Sequence, residues 1–403
     1  MPEMPSRFGD RGQARVVRPR WPVGIRLCRD MRVALIGLGN AGSHIHLPAL
    51  ASITTASVVG ACDPDGARRD HVAATYRVPV FPDAGTMLSR CRPDIVVIGT
   101  PPDSHADYCI RALDAAAHVI CEKPFVSSLA EADAVLDAAQ RADRGVAVNH
   151  EFREMPIFRA IRDEIARPDA PDLLFLQMWQ LIDMAPSAEA HWRGQMAQRT
   201  LFEAGVHLVD FAMALFGERP ASVQATTCGE RGPATDAVVV VTLEFSRGRL
   251  AQLTQNRLYK GETQYFEARA DTTSASLRAS FGGRARASAG LYRSTRPHMR
   301  FEYGRSGLAW RDVNGRRTIL ARNPKDPTVA ATRLVFEAAI EAFRTGGEPS
   351  TSGRRARAVL EVIAACYHSA STGCRLRLDD PVMQTLTAWR MGAARAPEGA
   401  EVD

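Results

Sequence analysis

The order of apolar and polar positions divides the chain into two parts with different rhythms. From residue 31 to about residue 150, short apolar runs alternate with longer segments whose apolar residues recur at helical spacing. Strands that alternate with helices in this way are typical of a doubly wound parallel sheet. The predicted strands cover residues 33–36, 56–62, 78–81, 94–99, 118–121 and 146–150.

Beyond residue 150 the rhythm changes. Leu173 to Leu181 has the pattern of a strand, Phe202 to Phe216 that of a helix with an apolar stripe, and short β-like runs recur from Ala221 to about Leu320. Two further helices are predicted near 329–344 and 354–371. The fold class is therefore α/β, with the parallel sheet followed by an α+β domain that carries a large open, mainly antiparallel sheet. We assign residues 151–390 to this domain and residues 391–403 to a frayed tail.

The first strand runs directly into the sequence Gly37-Leu38-Gly39-Asn40-Ala41-Gly42. In a Gly-x-Gly-x-x-Gly turn, Gly37 permits the tight bend, Gly39 lets backbone N–H groups approach a pyrophosphate, and Gly42 lets the next helix pack on the strand. The helix N-terminus then favours the negative charge of the phosphates. Although a plain strand-to-helix turn can share this short pattern, its place after an apolar strand predicts a Rossmann domain over residues 31–150 that binds a dinucleotide.

The second predicted strand ends in Asp63, which lies where a ribose-binding acid is expected. A carboxylate there accepts hydrogen bonds from both ribose hydroxyls and repels a 2′-phosphate, so NAD is favoured over NADP. Arg68 and Arg69 follow soon after and would reach an extra phosphate if the loop folded back. A solvated start of the next helix is the alternative for these arginines, and NADP is not excluded.

Composition and charge point to an ordinary soluble enzyme. The chain has 403 residues, of which 45% are hydrophobic and 24% charged, enough for two domains with separate cores. The eight cysteines lie singly and no apolar run is long enough to span a membrane, so we expect a cytoplasmic location. We predict no nucleic-acid or membrane partner.

Much of the net charge of +6 comes from residues 1–30, which hold seven arginines. This segment shows no periodicity. We interpret it as a disordered or non-native basic extension, with a nucleic-acid-binding or targeting tail as the alternative.

Polar residues follow several of the predicted parallel strands. Ligands of such sheets bind beyond the carboxyl ends of the strands. Pro101, His105, Lys123 and His150 lie in the loops at this edge. They are therefore candidates for the functional site.

The chain resembles the Gfo/Idh/MocA oxidoreductase family from residue 31 to about residue 380. The resemblance depends on the glycine motif at 37–42, Thr-Pro-Pro-Asp-Ser-His at 100–105, Glu-Lys-Pro at 122–124, Glu-Ala-Gly-Val-His-Leu-Val-Asp at 203–210 and the late helix leading into Ser-Thr-Gly at 371–373. Members of this family oxidise or reduce sugars, inositols and related polyols with a nicotinamide cofactor. The resemblance implies a similar activity here.

Lys123 and His207 are the predicted catalytic residues. An ammonium at the sheet edge can donate to a substrate hydroxyl and stabilise the alkoxide that forms as hydride leaves. A neutral imidazole can accept the hydroxyl proton near physiological pH. A surface lysine and a core histidine are the alternatives. By the resemblance, Glu122 lies near the nicotinamide ribose.

The stretch before His207 departs from the family pattern. The family usually has Asp four residues before this histidine, where this chain has Glu203, and often a glycine pair a little earlier, where this chain has residues 198–200. Residues i and i+4 share a helix face, so we predict that Glu203 orients His207 and belongs to the catalytic group. A carboxylate one turn away would hold the pKa of His207 at or above about 6.5.

The remaining candidates line the cofactor and the substrate. Thr100, Pro101 and His105 are assigned to the cofactor together with residues 37–42, Asp63, Glu122 and Lys123. Asn149, His150, Trp192 and Arg193 are assigned to the substrate pocket together with Lys123 and His207, and packing roles are the alternative for His150, Trp192 and Arg193. His44 and His46 point to different sides of a helix, so we predict no metal site.

The sequence thus predicts an NAD(P)-dependent oxidoreductase that transfers hydride between a secondary alcohol of a sugar, inositol or similar polyol and the nicotinamide. Two alternatives use the same parts: an NAD-dependent glycosidase or lyase that oxidises its sugar transiently, and a non-catalytic NAD(P)-binding sensor or partner subunit. An open sheet in the second domain commonly packs against another subunit, so we predict a homodimer or homotetramer.

Overall fold

A computed structural model of the chain describes residues 30–182, 193, 196, 198–229, 236–260, 265–281, 285–291, 297–303 and 307–392. The predictions for residues 1–29, for Trp192 and for residues 393–403 lie outside the described residues.

The N-terminal sheet is the one that the apolar runs predict. Its six strands are all parallel and lie in the order β3-β2-β1-β4-β5-β6, in which the order reverses between β1 and β4. The strands are β1 (Met31–Ile36), β2 (Ala56–Cys62), β3 (Val80–Phe81), β4 (Ile95–Ile98), β5 (His118–Glu122) and β6 (Val146–Asn149). This is the Rossmann strand order, and its ligand crevice lies at the carboxyl ends of the strands.

Helices connect these strands, and several begin at the capping residues that the sequence carries. A π-helical turn (Gly42–His46) continues into α1 (Leu47–Ala51), followed by α2 (Gly66–Tyr76), α3 (Ala84–Cys91), α4 (His105–Asp114) and α5 (Leu129–Ala142). Asp65, Asp83 and Ser128 accept backbone N–H bonds at the N-termini of α2, α3 and α5. Glu131 also accepts from Ser127 N, close to the capping-box arrangement.

The second sheet is mainly antiparallel, as predicted, with one parallel pair among its described strands. Its nine described strands lie in the order β16-β15-β12-β11-β7-β10-β9-β8-β17, and the β7–β10 pair is parallel while the other pairs are antiparallel. The strands are β7 (Leu173–Leu181), β8 (Ser222–Cys228), β9 (Val238–Glu244), β10 (Leu250–Asn256), β11 (Tyr265–Thr272), β12 (Ser276–Phe281), β15 (Leu308–Val313), β16 (Arg316–Arg322) and β17 (Leu376–Arg377), with a separate hairpin of β13 (Ala285–Leu291) and β14 (Pro297–Tyr303).

Helices cover one face of this sheet. They are α6 (Pro156–Ile165), a π-helical turn (Thr200–Gly205) continuing into α7 (Val206–Phe216), and α9 (Gly353–Thr372). Helix α8 (Pro327–Thr345) lies elsewhere, and the short α10 (Val382–Thr385) follows β17. Alternate residues of β9 and β10 are buried on the helix side, such as Val241 and Leu253. The other face carries Val240 and Leu250, which are exposed.

Helix α8 packs on the Rossmann sheet although it follows the second sheet in sequence. Val335, Phe336 and Ile340 form one buried cluster with residues of β1 and β4. The following segment also returns to this sheet, since Ser352 bridges to Ala147 of β6. Residues of α8 are thus spatially part of the N-terminal unit, because their apolar stripe fits a sheet face that the first 150 residues leave uncovered. The predicted assignment of all of residues 151–390 to the second domain does not describe this return.

The described chain extends into the segment predicted to be a frayed tail. Met391 is buried, and its N–H donates to Ser127 O at 2.8 Å. The contact extends the ordered part at least to the start of that segment. None of the described helices is both long and apolar enough to cross a membrane.

Candidate active site

The glycine turn between β1 and its helix leaves open space on one side. Gly37 has φ +94°, and a β-carbon there would lie 2.8 Å from the backbone of Gly99. A β-carbon at Gly42 would collide with the carbonyl oxygen of Gly37. At Gly39, by contrast, the nearest atom is a guanidinium nitrogen of Arg68 at 3.9 Å. Two glycines serve packing and the third leaves the backbone accessible, as a pyrophosphate requires.

Asp63 lies at the carboxyl end of β2 and anchors this turn. Its side chain accepts from Leu38 N and Asp65 N at 2.8 and 2.9 Å, so it holds the glycine turn against the start of α2. Arg68 Nη1 lies 3.5 Å from Asp63 Oδ2, and the side chain of Arg68 is half exposed. Arg69 donates to the main-chain oxygen of Asp63 instead. The guanidinium of Arg68 therefore lies beside Asp63, the predicted ribose-binding acid, and close to Gly39.

Glu122 at the end of β5 is the centre of a buried hydrogen-bond network. Its Oε1 accepts from His46 Nε2 and Asn149 Nδ2, both at 2.6 Å, and its Oε2 accepts from Lys123 N at 3.0 Å. Burial by itself would raise the pKa of Glu122, but these donors and the Lys123 charge lower it to about 2. Glu122 is ionised at neutral pH, and it fixes the backbone of Lys123.

The ammonium of Lys123 joins the two parts of the molecule. Its Nζ donates to the main-chain oxygen of Glu203 at 3.1 Å, across 80 positions of sequence. The Glu-Lys-Pro loop therefore lies against the π-helical turn that leads to His207. The two residues predicted to be catalytic lie on these neighbouring segments.

His207 lies in α7 with its ring stacked on Phe152, whose centroid is 4.0 Å away at an interplanar angle of 23°. Its Nδ1 has no hydrogen-bond partner among the described residues, and its Nε2 lies 3.9 Å from Glu151 Oε1. Burial, Lys123 and His150 hold the pKa of His207 well below 6.5. The prediction of a pKa at or above that value was wrong, because desolvation and a nearby ammonium outweigh any helix carboxylate.

Glu203 pairs with a different partner from the one predicted. Its Oε1 accepts from Arg193 Nε at 2.5 Å, whereas the carboxylate placed beside His207 Nε2 is that of Glu151. The π-helical turn over residues 200–205 changes the spacing that the i, i+4 argument assumes, since it winds more than four residues per turn. Arg193, predicted to bind substrate, reaches the site through this ion pair.

His105 is fully buried and ties two loops of the site together. Its Nδ1 lies 2.9 Å from Pro124 O, and its Nε2 lies 2.8 Å from Thr100 O. Burial lowers its pKa. The ring thus connects the loop after β4 with the loop after β5, so its contacts are those of a residue that positions Thr100 and the Glu-Lys-Pro segment.

Residues at the end of β6 and just after it complete the site with unpaired polar atoms. No hydrogen-bond partner among the described residues reaches Asn149 Oδ1, either ring nitrogen of His150 or Glu151 Oε2, and all three side chains are buried. Buried polar atoms are normally paired. The same is true of Nδ1 of His46 and His207. These atoms fit a polar ligand, such as a polyhydroxylated substrate and the carboxamide of a nicotinamide.

Two residues of the site were not predicted. Glu151 follows Asn149 and His150 at the carboxyl end of a strand, so its position could have drawn attention to it. His46 is 76 residues from Glu122. Nothing in its spacing indicates that contact, which exists because β1 and β5 flank β4 in the sheet. In the part of the chain that the structure describes, no three His, Cys, Asp or Glu side chains converge as a metal site would require.

The Rossmann strand order, the open glycine turn and a lysine set beside a histidine-bearing helix define a nucleotide-dependent oxidoreductase. Comparison with known families agrees. Residues 31–150 match the oxidoreductase family with an NAD-binding Rossmann fold, GFO_IDH_MocA, and residues 158–302 match the GFO/IDH/MocA C-terminal domain. The chain belongs to the GFO/IDH/MocA oxidoreductase family.

Several relatives are similar over most of their length. D-apiose dehydrogenase of Paraburkholderia graminis is 27% identical over 374 residues, which cover 90% of this chain and 94% of the relative. D-xylose 1-dehydrogenase (NADP(+)) 2 of Haloferax volcanii is 28% identical, with 87% and 100% covered. The solved structure of an Agrobacterium radiobacter oxidoreductase in complex with NAD+, L-tartaric acid and magnesium has a TM-score of 0.73 at 20% identity, with 87% and 98% covered. This structural likeness shows the shared fold.

Proposed function

We propose that the protein is an NAD(P)-dependent dehydrogenase that oxidises a secondary alcohol of a sugar, inositol or similar polyol, or reduces the corresponding carbonyl. The contact between Lys123 Nζ and Glu203 O carries this proposal, since it sets the lysine of the Rossmann edge against the segment that holds His207. The names of the relatives, which are dehydrogenases of apiose and xylose, support the substrate class.

The site residues divide the chemistry of alcohol oxidation between them. The bound nicotinamide supplies the redox step by accepting the hydride. Lys123 donates to the reacting oxygen and stabilises its negative charge, because an ammonium in a partly buried site interacts strongly with a developing alkoxide. His207 is neutral at physiological pH, since its pKa is lowered, and it accepts the hydroxyl proton.

The unpaired polar atoms of Asn149 and His150 support a substrate with several hydroxyls. Each hydroxyl can both donate and accept, so one substrate can satisfy an amide oxygen and an imidazole nitrogen together. A site with such atoms discriminates strongly against an analogue that lacks the matching hydroxyl. We infer that these two residues select the substrate.

The test is turnover by Lys123→Met and His207→Ala variants with a panel of aldoses, polyols and inositols. We expect each variant to lose about 10²–10⁴-fold in kcat while the dissociation constant of NADH changes little. Lys325→Met is the matched control, because Lys325 is an exposed lysine for which no catalytic role is proposed. A folded Lys123→Met variant that retains more than half of the wild-type rate would exclude the lysine from the mechanism.

The same assay separates the two alternatives. A dehydrogenase accumulates NADH in proportion to product, whereas a glycosidase or lyase that oxidises its sugar transiently returns the hydride and shows no net NADH. A sensor subunit binds NADH and turns over none of the panel. The cytoplasmic location stays a prediction, which cell fractionation tests.

A further inference from the structure

We propose that Glu151 is a positioning residue that exchanges the catalytic proton with His207. This inference rests on the proposed function. Glu151 Oε1 lies 3.9 Å from His207 Nε2, and Glu151 Oε2 has no hydrogen-bond partner among the described residues. Both side chains are less than one-tenth exposed.

The stacking of Phe152 on His207 fixes the plane of the imidazole. The N–H bond and the lone pair of an imidazole lie in the ring plane, so fixing this plane fixes the directions in which the two nitrogens interact. Nε2 lies 3.9 Å from Glu151 Oε1, and Nδ1 has no hydrogen-bond partner in the described part of the chain. Glu151 and Phe152 are consecutive residues of one turn. Phe152 therefore packs on the face of the His207 ring, and Glu151 lies near its edge.

A lone imidazolium would be unfavourable at this position. Burial, the Lys123 ammonium and His150 all hold the pKa of His207 low, so a proton accepted from the substrate does not stay there. Glu151 has the opposite tendency: burial and the negative charge of Glu122 raise its pKa to about 8. Of the two neighbouring groups, the carboxylate holds a proton better than the imidazole.

Oxidation of the alcohol removes a hydride from carbon and a proton from oxygen. The carbinol C–H bond would break with its hydride going to a bound oxidised nicotinamide, and the hydroxyl proton would pass to the imidazole of His207. The proton on His207 Nε2 passes to the ionised carboxylate of Glu151, which leaves the imidazole neutral and the product with a carbonyl. Nε2 and Oε1 are 3.9 Å apart, beyond hydrogen-bond distance, so the transfer requires a side-chain movement that brings them together. Reduction of the carbonyl uses the same path in reverse, starting from protonated Glu151.

Glu151 begins a short 3₁₀ turn, Glu151–Glu154, and charged groups face it from the elements that pack on this turn. Glu122 and Lys123 face it from the end of β5, and Asp210 and His207 from α7. Within the turn, Arg153 forms an ion pair with Asp210, and Glu154 forms one with Arg162 of α6. Helix α8 contributes the neutral Thr332, whose hydroxyl accepts from Asn149. Lys123 lowers the pKa of Glu151, and Glu122 and Asp210 raise it.

The first test is the pH dependence of kcat for alcohol oxidation. Wild-type activity should rise as Glu151 ionises through about pH 8, and Glu151→Gln should lose this rise together with about 10²-fold in kcat at high pH. Glu151→Asp retains a titrating carboxylate, so the rise should return in part. Glu154→Gln, a matched change in the same turn, should keep the wild-type profile. A Glu151→Gln profile parallel to that of wild type would overturn the inference.

The second test needs no substrate. The pKa of Glu151 is about 4.5 in the unfolded chain and about 8 in the folded protein, so the folded state binds one more proton between these pH values. The free energy of unfolding therefore falls progressively as the pH rises through this range. The difference between the Tm of Glu151→Gln and that of wild type should therefore increase from pH 5 to pH 8, in favour of the variant. Equal pH dependence of the two Tm values would show that Glu151 is ionised throughout and would overturn the inference. If wild type oxidises no alcohol, the proposed function fails, and the Tm comparison still reads the protonation of Glu151.

Discussion

At the scale of single residues, two carboxylates on adjacent strand ends have opposite protonation. Glu122 accepts three hydrogen bonds and lies beside an ammonium, so its pKa falls to about 2. Glu151 is equally buried, and its pKa rises to about 8 because burial and the charge of Glu122 outweigh Lys123 and a hydrogen bond from its own backbone. Groups whose environments separate their pKa values in this way commonly divide acid and base roles. Here the ionised one holds Lys123, and the other faces His207.

The cofactor choice is decided at the residue scale as well. Asp63 is the predicted determinant for NAD, but Arg68 lies 3.5 Å from it and over Gly39. A guanidinium there offsets the repulsion between Asp63 and a 2′-phosphate, so we expect some NADP binding by wild type.

We expect Asp63→Ser to weaken NAD and to favour NADP, and Arg68→Ala to weaken NADP more than NAD. The measurement is the dissociation constant of each variant for both cofactors. Because Asp63 also accepts from Leu38 N, its variant needs a check of folding. If Arg68→Ala changes the dissociation constants for NAD and NADP by the same factor, the arginine does not bind the 2′-phosphate.

At the scale of elements, helix α8 connects distant parts of the chain to the site. Phe336 is fully buried, and its ring centroid lies 5.5 Å from that of His46, which in turn contacts Glu122. Thr332, one turn earlier, lies within 3.4 Å of Asn149 Nδ2. A helix from the last quarter of the chain therefore supports the network that positions Lys123.

Phe336→Ala should lower the free energy of unfolding by about 3–5 kcal/mol, since it removes a buried aromatic ring and leaves a cavity. Chemical denaturation measures this change. Ile319→Ala is the control, because Ile319 is 41% exposed and should cost much less. We also expect weaker binding of NADH by the folded variant, as His46 loses its packing. A loss below 1 kcal/mol would mean that α8 does not pack on the Rossmann sheet as described.

At the scale of the whole molecule, the outer face of the nine-stranded sheet lacks a covering layer among the described residues. Trp179 and Phe175 of β7, Leu250 of β10 and Val240 of β9 lie on this face in neighbouring strands. Gln177 and Gln252 hydrogen-bond across it at 2.8 Å. Large exposed apolar patches mark interaction sites, and a flat sheet face is suited to pack against its own copy.

We propose that this face forms the subunit interface of a homodimer or homotetramer. Light scattering should give a mass above that of one chain for wild type, and Val240→Glu should shift it toward the monomer because it places a charge in the interface. Val313→Glu is the control, since Val313 is similarly exposed but lies beside the end of α6. A wild-type protein that is monomeric at micromolar concentration would contradict the proposal.

Local pattern by itself determined the Rossmann strands, the glycine turn and the helix that carries His207, because each depends on the period and type of residues near in sequence. The edge position of Lys123 also followed, since the carboxyl ends of parallel strands meet at one edge. Only the tertiary structure decided the partners: Glu122 with His46, Glu203 with Arg193, and His207 with Glu151. Such contacts join segments that are far apart in the chain, and the pKa of a buried group depends on desolvation and on charges that no local pattern reveals.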